Sequence, residues 1–418
     1  MPTTDVIVIG AGHTGLAMSR RLTERSIDHV VVERGAVAQS WRTERWPGLR
    51  LLTPNWQTRL PGGGYDGDDP NGHLSAPEVA DLLAGYARAI DAPVHDSTTV
   101  ERVSAVDEGY QVDTDQGTWR ASSVVVASGA NSRPTIPACA EGLPGSIRQV
   151  TTRSYAGPDS LPDGGVLIVG AAATGTQLAD ELARSGRQVV LSVGEHVRLP
   201  RDYRGRDIFW WMDASGVLDE RYDDVDDIVR ARHVPSPQLV GSADRRTIDL
   251  ASLRALGVEL VGRLGAIRDG VALFSGGLAN TVKLADLKAE RLLDRLDAWA
   301  VVRGVNDDVD APHRLDPTEV DASPRLMLDL QKRGITSVIW ATGFTAEYSW
   351  LDVPVFDHKG RIRHEGGVIT EPGLYLLGAS LLRRRRSTYI DGAAADTAEL
   401  AEHLSRYLDD HARAHVLL

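Results

Sequence analysis

Two short glycine-rich segments carry the residue types and spacing that hold phosphate. The first is Gly10-Ala-Gly12-His13-Thr14-Gly15, which follows the apolar run Asp5-Val-Ile-Val-Ile9 and opens helix-like sequence from Leu16 to Glu24. In that setting each glycine has a task. The first permits the tight turn, the second lets a pyrophosphate approach the backbone, and the third lets helix and strand pack closely. Glu33 ends the next apolar run, His29-Val-Val-Val-Glu33, 18 residues after Gly15. A carboxylate there accepts from ribose hydroxyls. Strand, turn, helix and acid together read as a dinucleotide cradle.

The second segment is Gly170-Ala-Ala172-Ala-Thr174-Gly175, again after a buried run, Gly165-Val-Leu-Ile-Val-Gly170, and before a helix from Gln177 to Ser185. Ala172 replaces the middle glycine, and its methyl holds the backbone slightly away from phosphate without blocking it. No acid stands at Ser192, where the next strand ends; Arg198, Arg201, Arg204 and Arg206 follow. An acid would accept from the 2′-hydroxyl of NADH, whereas arginines pair with the 2′-phosphate of NADPH. The expected nucleotide is NADPH, met by Gly170, Ala172, Thr174, Gly175, Ser192, Arg198 and Arg201. Two such sites in one chain suggest FAD with a nicotinamide, FAD at the N-terminal one.

The elements around these turns make two βαβ units about 160 residues apart, so the fold class is α/β with two Rossmann-like domains. Residues 41–75 are rich in Trp, Pro, Gly, Asn and Asp. A connection this long with Trp41, Trp46, Trp56 and Tyr65 in it is expected to be an ordered loop lining something. The acid-rich run Asp219–Asp227 reads as a solvated face. Residues 281–300 read as an amphipathic helix, a lid or a dimer face. Asp207-Ile-Phe-Trp-Trp211 reads as core packing before substrate channel.

Composition excludes several functions. Formal net charge is −12, against non-specific nucleic-acid binding. The single cysteine, Cys139, rules out a disulfide framework, a CxxC redox pair and a cysteine-built zinc site, and fits a reducing cytoplasm. His196 and His233 have no partners at metal-ligand spacing, so no metal site is expected. There is no GxSxG elbow, and no leader or apolar run of membrane-spanning length is evident. The chain is expected to be soluble and cytoplasmic.

The order of motifs resembles the class B flavin-dependent monooxygenases, the group holding the flavin-containing monooxygenases and the plant indole-pyruvate monooxygenases, and more narrowly their bacterial flavoprotein oxidoreductase branch. The matching segments are the N-terminal glycine turn, Ser40-Trp41-Arg…Trp46-Pro-Gly48-Leu, Thr53-Pro-Asn55, Asp69-Pro-Asn-Gly72, the second glycine turn, and Ala341-Thr-Gly343-Phe. The resemblance implies a catalytic Asn55 beside flavin C4a, where an amide can hold a hydroperoxide without taking its proton. It implies FAD contacts at Gly10, Gly12, His13, Thr14, Gly15, Glu33, Arg34, Ser40, Trp41, Val100, Ala127, Gly129, Gly378, Thr388 and Tyr389. It also implies that Arg383–Gly392 passes the flavin ring and sets a helix N-terminus at the N1/O2 edge; its four arginines read as a solvated or phosphate-facing loop. The family fingerprint FxGxxxHxxx(Y/F) meets Leu143-Pro-Gly145…Gln149…Tyr155, with Leu143 and Gln149 replacing the aromatic and the histidine.

The expected division is an FAD-binding domain of residues 1–155 and 332–418, interrupted by an NADPH-binding domain of 156–331 with a helical insertion around 281–300. The expected activity is an NADPH monooxygenase that forms a C4a-hydroperoxyflavin and oxygenates a soft nitrogen or sulfur nucleophile of a small organic molecule. The alternatives are an NADPH oxidase or flavin reductase releasing peroxide, and a redox-sensing flavoprotein. The expected partners are the substrate and O2, with no nucleic acid and no membrane; a homodimer stays open.

Overall fold

The computed structural model describes residues 1–416, with side chains through residue 413. The chain builds one parallel sheet, leaves it for a second, and returns. It starts with β1 (Thr3–Ile9), α1 (His13–Thr23), β2 (His29–Val32) and, after a helix at Ala76–Ala89, β3 (Gly117–Val126). It crosses into β4 (Arg148–Thr151), β5 (Gly165–Val169), α2 (Ala173–Arg184), β6 (Val189–Ser192), β7 (Glu259–Val261), α3 (Leu278–Arg303) and β8 (Ile335–Trp340). It comes back as β9 (Leu374–Leu376) and α4 (Gly392–Val416).

The first sheet runs Val94–His95, β2, β1, β3, β9, all parallel. An antiparallel pair, Val100–Val106 and Gly109–Thr114, extends it from the start of β3. The second sheet runs β4, β8, β5, β6, β7, also parallel. Their central strands are continuous apolar runs because both faces are covered. In β5, Val166 and Ile168 enter one apolar cluster while Leu167 and Val169 enter the other, as a two-residue period requires.

Pairing moves the expected boundary. Residues 148–155 and 332–340 were assigned to the first unit, yet β4 and β8 pair inside the second sheet, with β8 between β4 and β5. The apolar run Val338-Ile339-Trp340 needs cover on both faces and finds it there, so the return crossing begins only after Trp340.

The α3 helix spans 26 residues and covers the expected 281–300 segment. It buries Val282, Ala285, Ala289, Leu293 and Leu296, the last two packing with Tyr203, Phe209 and Trp211. The Asp207–Trp211 segment is core: a helix at Ile208–Ala214 starts where Asp207 accepts from the Phe209 N–H at 2.8 Å.

The acid-rich run keeps Asp219, Asp223, Asp224, Asp226 and Asp227 exposed, as expected, and its first two residues also pair with the arginine run. Asp219 lies 2.9 Å from Arg386, and Glu220 pairs with Arg385. Arg383 and Arg384 pair with Glu399 on α4. These pairings are not visible in the sequence pattern because the partners lie more than 150 residues apart. Among the described residues no helix is long and apolar enough to cross a membrane.

Candidate dinucleotide sites

Each glycine turn sits at the C-terminal end of a central strand and opens a helix. Gly10 has φ +109°, and a Cβ on Gly15 would lie 1.9 Å from the Gly10 carbonyl oxygen. Those two positions have no room for a side chain. The second turn repeats the geometry: Gly170 has φ +109°, and a Cβ on Gly175 would lie 1.8 Å from the Gly170 oxygen.

The middle positions differ in kind. Gly12 is extended backbone (φ −82°, ψ −175°), and Ala172 has nearly the same conformation (φ −78°, ψ −174°). Glycine is therefore not needed there for its dihedrals. A Cβ on Gly12 would meet nothing within 4 Å, because it would project into an open cradle. Neither α1 nor α2 has a side-chain cap or an acid in its first turn, so their leading N–H groups are free for an anion.

A cavity of about 540 Å³ joins the two turns. Of the expected contacts, it is lined by Gly10, Gly12, His13, Thr14, Glu33, Arg34, Ser40, Trp41, Val100, Ala127, Gly129, Thr174, Gly378, Thr388 and Tyr389. Gly15, Gly170, Ala172 and Gly175 form the turns beneath and do not line it. The Glu33 carboxylate accepts from the Ala11 N–H (2.8 Å) and the Gly35 N–H (3.2 Å), which fixes it at the rim. His13 Nε2 and Ser128 Oγ are buried, unpartnered and on the wall. Orphaned polar atoms facing a cradle fit a polar ligand lying there. Burial pushes the His13 pKa down to about 4 and the Tyr389 pKa up to about 12.

Four expected residues are placed elsewhere. Asn55 does not line the cavity. Its Nδ2 donates to the Asp69 carbonyl at 2.9 Å and its main-chain N–H to the Gly72 carbonyl, while Thr53 takes the place on the wall. The buried Ser192 hydroxyl is closed off by the Gly262 carbonyl and the Leu264 N–H, both at 3.0 Å. Arg198 is 5% exposed and forks onto Asp249 (3.1 Å) and Asp286 (2.8 Å). Arg201 faces Asp207 and donates to the Leu52 carbonyl at 2.8 Å, holding the wall from behind. Both guanidinium groups are thus engaged by partners inside the protein.

The 41–75 loop does line the cavity, through Trp41, Trp46 and residues 49–53, but not through Trp56 or Tyr65. Ser236 and Leu239 complete the wall; their segment shows no motif or period that could have marked them. His73 holds the loop in place. It is buried, its Nδ1 donates to the Thr53 carbonyl at 3.2 Å, and burial with nearby Arg201 lowers its pKa to about 4. In the unfolded chain the ring titrates near 6.5, so the unfolded state binds the extra proton between those values. The stability this gives is complete above pH 6.5 and is lost as pH falls towards 4. His73→Gln should flatten the fall in urea midpoint between about pH 7 and about pH 4.5. An unchanged profile would remove His73 as a contributor.

Residues 7–205 match the family described as pyridine nucleotide-disulphide oxidoreductase. The chain is similar to the oxidoreductase CzcO-like of Geobacillus kaustophilus, 33% identical over 97% of this chain and 99% of that one. It is 29% identical to the indole-3-pyruvate monooxygenase YUCCA6 of Arabidopsis thaliana over 49% of this chain and 52% of that one. In structure it is similar to the flavin-containing monooxygenase of Stenotrophomonas maltophilia, with TM-score 0.64 and 21% identity, covering 97% and 99% of the two chains. The chain therefore belongs to the CzcO-like oxidoreductases, and its fold is that of the flavin-containing monooxygenase it resembles in structure.

Proposed function

We propose that this oxidoreductase is a monooxygenase whose cofactors are FAD and NADPH, and that it transfers one oxygen atom from O2 to a soft nitrogen or sulfur of a small organic substrate. The observation that carries the reading is the single cavity onto which both helix N-termini open. Two separate clefts would keep the dinucleotides apart; one space lets their reactive ends meet. When bound, FAD supplies the redox chemistry: it accepts hydride from NADPH and hands electrons to O2.

The chain's residues bind, orient and exclude water. Gly12 and the α1 N-terminus hold the FAD pyrophosphate, and Glu33 accepts from its ribose. Thr388, Tyr389 and Ile390 line the cavity immediately before α4 begins at Gly392, so the positive end of that helix lies behind them. The α2 N-terminus, with Thr174 on the wall, holds the nicotinamide pyrophosphate. Trp46, Leu49, Leu51, Leu52 and Leu239 give the wall between the turns an apolar surface that keeps water out.

Two wall groups carry their protons in fixed states. With pKa values near 4 and near 12, His13 is neutral and Tyr389 protonated at neutral pH. Neither trades a proton readily, which suits oxygen transfer to a nucleophile that needs no acid or base. Asn55 acts behind the wall as a positioning residue, locking the 69–72 turn. Disulfide reduction needs a thiol pair; this sequence has one cysteine, and Cys139 lies off the wall. That lone thiol suits a reducing cytoplasm.

Glu33→Gln keeps the shape and removes the charge, and should weaken FAD binding about tenfold in a flavin titration of the apoprotein. The reading itself is tested by turnover with NADPH under 18O-labelled O2 across a panel of amines and thioethers. One labelled atom per product supports it. Peroxide equal to the NADPH consumed, with no labelled product, would leave an NADPH oxidase.

A further inference from the structure

Of the arginines expected to recognise a 2′-phosphate, Arg198, Arg201 and Arg204 are buried against aspartates and the exposed Arg206 lies over the Trp210 ring, which leaves the question of what does recognise it. We propose that Arg263 is the residue that selects a 2′-phosphorylated nicotinamide dinucleotide over its unphosphorylated counterpart. This rests on the reading that the second cradle takes such a dinucleotide.

In an open parallel sheet the ligand lies across the carboxyl ends of the strands. The pyrophosphate belongs at the end of β5, where α2 begins. The adenosine ribose then extends over the end of the next strand, β6, towards β7. These two strands pair in parallel with Ser192 opposite Val261, and the Val193 N–H donates to the Val261 carbonyl at 2.9 Å. The residues that follow each strand are therefore neighbours. A Cβ on Gly194 would lie 4.0 Å from Arg263 Cγ.

Arg263 is exposed, and its side chain makes no hydrogen bond or ion pair among the described residues. Its backbone is fixed, since its carbonyl accepts from the Ser275 N–H at 2.9 Å. The facing loop is fixed as well. His196 is 2% exposed, and its Nδ1 donates to the Gly194 carbonyl at 3.0 Å. Gly194 has no side chain to cover the approach. By contrast, Arg198, Arg201 and Arg204 each face an aspartate within 3.3 Å.

Glu195 in the same loop argues the other way, because an acid near this strand end accepts from a free 2′-hydroxyl and repels phosphate. It is answered by Lys288, whose Nζ lies 3.0 Å from Glu195 Oε1. With that acid paired, Arg263 is left as the uncompensated charge over the strand ends, and a guanidinium binds phosphate with two parallel hydrogen bonds.

The test measures dissociation constants of NADP+ and NAD+ for the flavin-loaded protein by titration calorimetry. It compares the wild type, Arg263→Ala, Arg263→Gln, and, as a control, Arg268→Ala at the far end of the strand Leu264–Arg268 that follows Arg263. Flavin content and circular dichroism confirm that each variant is folded. Both Arg263 variants should weaken NADP+ at least tenfold and leave NAD+ within about twofold, with Arg268→Ala like the wild type. Equal weakening of both dinucleotides, or no change in NADP+, overturns the assignment of Arg263 alone. A wild type that binds neither dinucleotide overturns the assignment together with the reading of the second cradle.

Discussion

Gly12→Val should give a folded, soluble protein that no longer retains flavin. The backbone at Gly12 is extended, a conformation valine adopts freely, and an added Cβ meets no atom within 4 Å. The side chain would fill the cradle itself, between the first-turn N–H groups of α1 and the phosphates they are placed to hold. Loss of those contacts should raise the FAD dissociation constant at least 100-fold, or about 2.7 kcal/mol. The neighbouring Gly15→Ala should behave differently, because its methyl would lie 1.9 Å from a main-chain oxygen. There the turn cannot form, and the expected outcome is insoluble or unfolded protein. Flavin absorbance and thermal melting check both, with Gly12→Val compared to the wild-type apoprotein because bound FAD itself raises the melting temperature. A yellow Gly12→Val protein with one flavin per chain would contradict the placement of the cradle.

The second large effect is expected at Arg198. Its guanidinium is buried between Asp249 and Asp286 and also donates to the Asp316 carbonyl at 2.8 Å. Arg198→Ala would leave the buried Asp249 and the half-buried Asp286 without a countercharge, and breaking a buried pair typically costs about 3–5 kcal/mol. Asp249 also caps the helix Leu250–Ala255, accepting from the Ser252 N–H, and Asp286 accepts from the Thr318 N–H and hydroxyl. The loss would therefore loosen that helix and the 316–318 segment together. Chemical denaturation should show the drop in stability, while the preference between NADP+ and NAD+ stays as in the wild type. Had Arg198 met the nucleotide, the reverse would hold: selectivity lost and stability kept.

That contrast shows what was legible in the sequence and what was not. The glycine turns, Glu33 and the apolar strands were readable because their meaning is local. A few adjacent residues set the turn, and a two-residue period exposes the buried strand. The roles of Arg198 and Arg201 depend on partners far along the chain, Asp249 and Asp286 for the first and the Leu52 carbonyl for the second. An arginine that follows a nucleotide-binding strand looks the same in sequence whether it faces phosphate or aspartate. Asn55 lies off the cavity wall for a related reason. The motif fixes the loop, but only the packed loop decides that Thr53 faces the cavity while Asn55 turns towards Asp69. The domain boundary failed at β8 because a strand's sheet is chosen by its neighbours in space, not by its own pattern.

Gln149 now has a location as well. It lies on β4 at the exposed edge of the second sheet, where its Oε1 accepts from Trp340 Nε1 at 3.1 Å. It is off the cavity wall, so the departure from the fingerprint there changes an edge contact and leaves the wall's own residues as they are.

The shared cavity makes one demand above all others: NADPH at the second cradle must reduce FAD at the first. The direct measurement mixes flavin-loaded protein with NADPH in the absence of oxygen, then with oxygenated buffer, while the flavin band is followed and peroxide is titrated. The expected result is bleaching of the band by NADPH, a delayed return in oxygen, and less peroxide than NADPH consumed once an oxidisable amine or thioether is present. A flavin band that NADPH leaves unmoved would contradict the joining of the two cradles in one site.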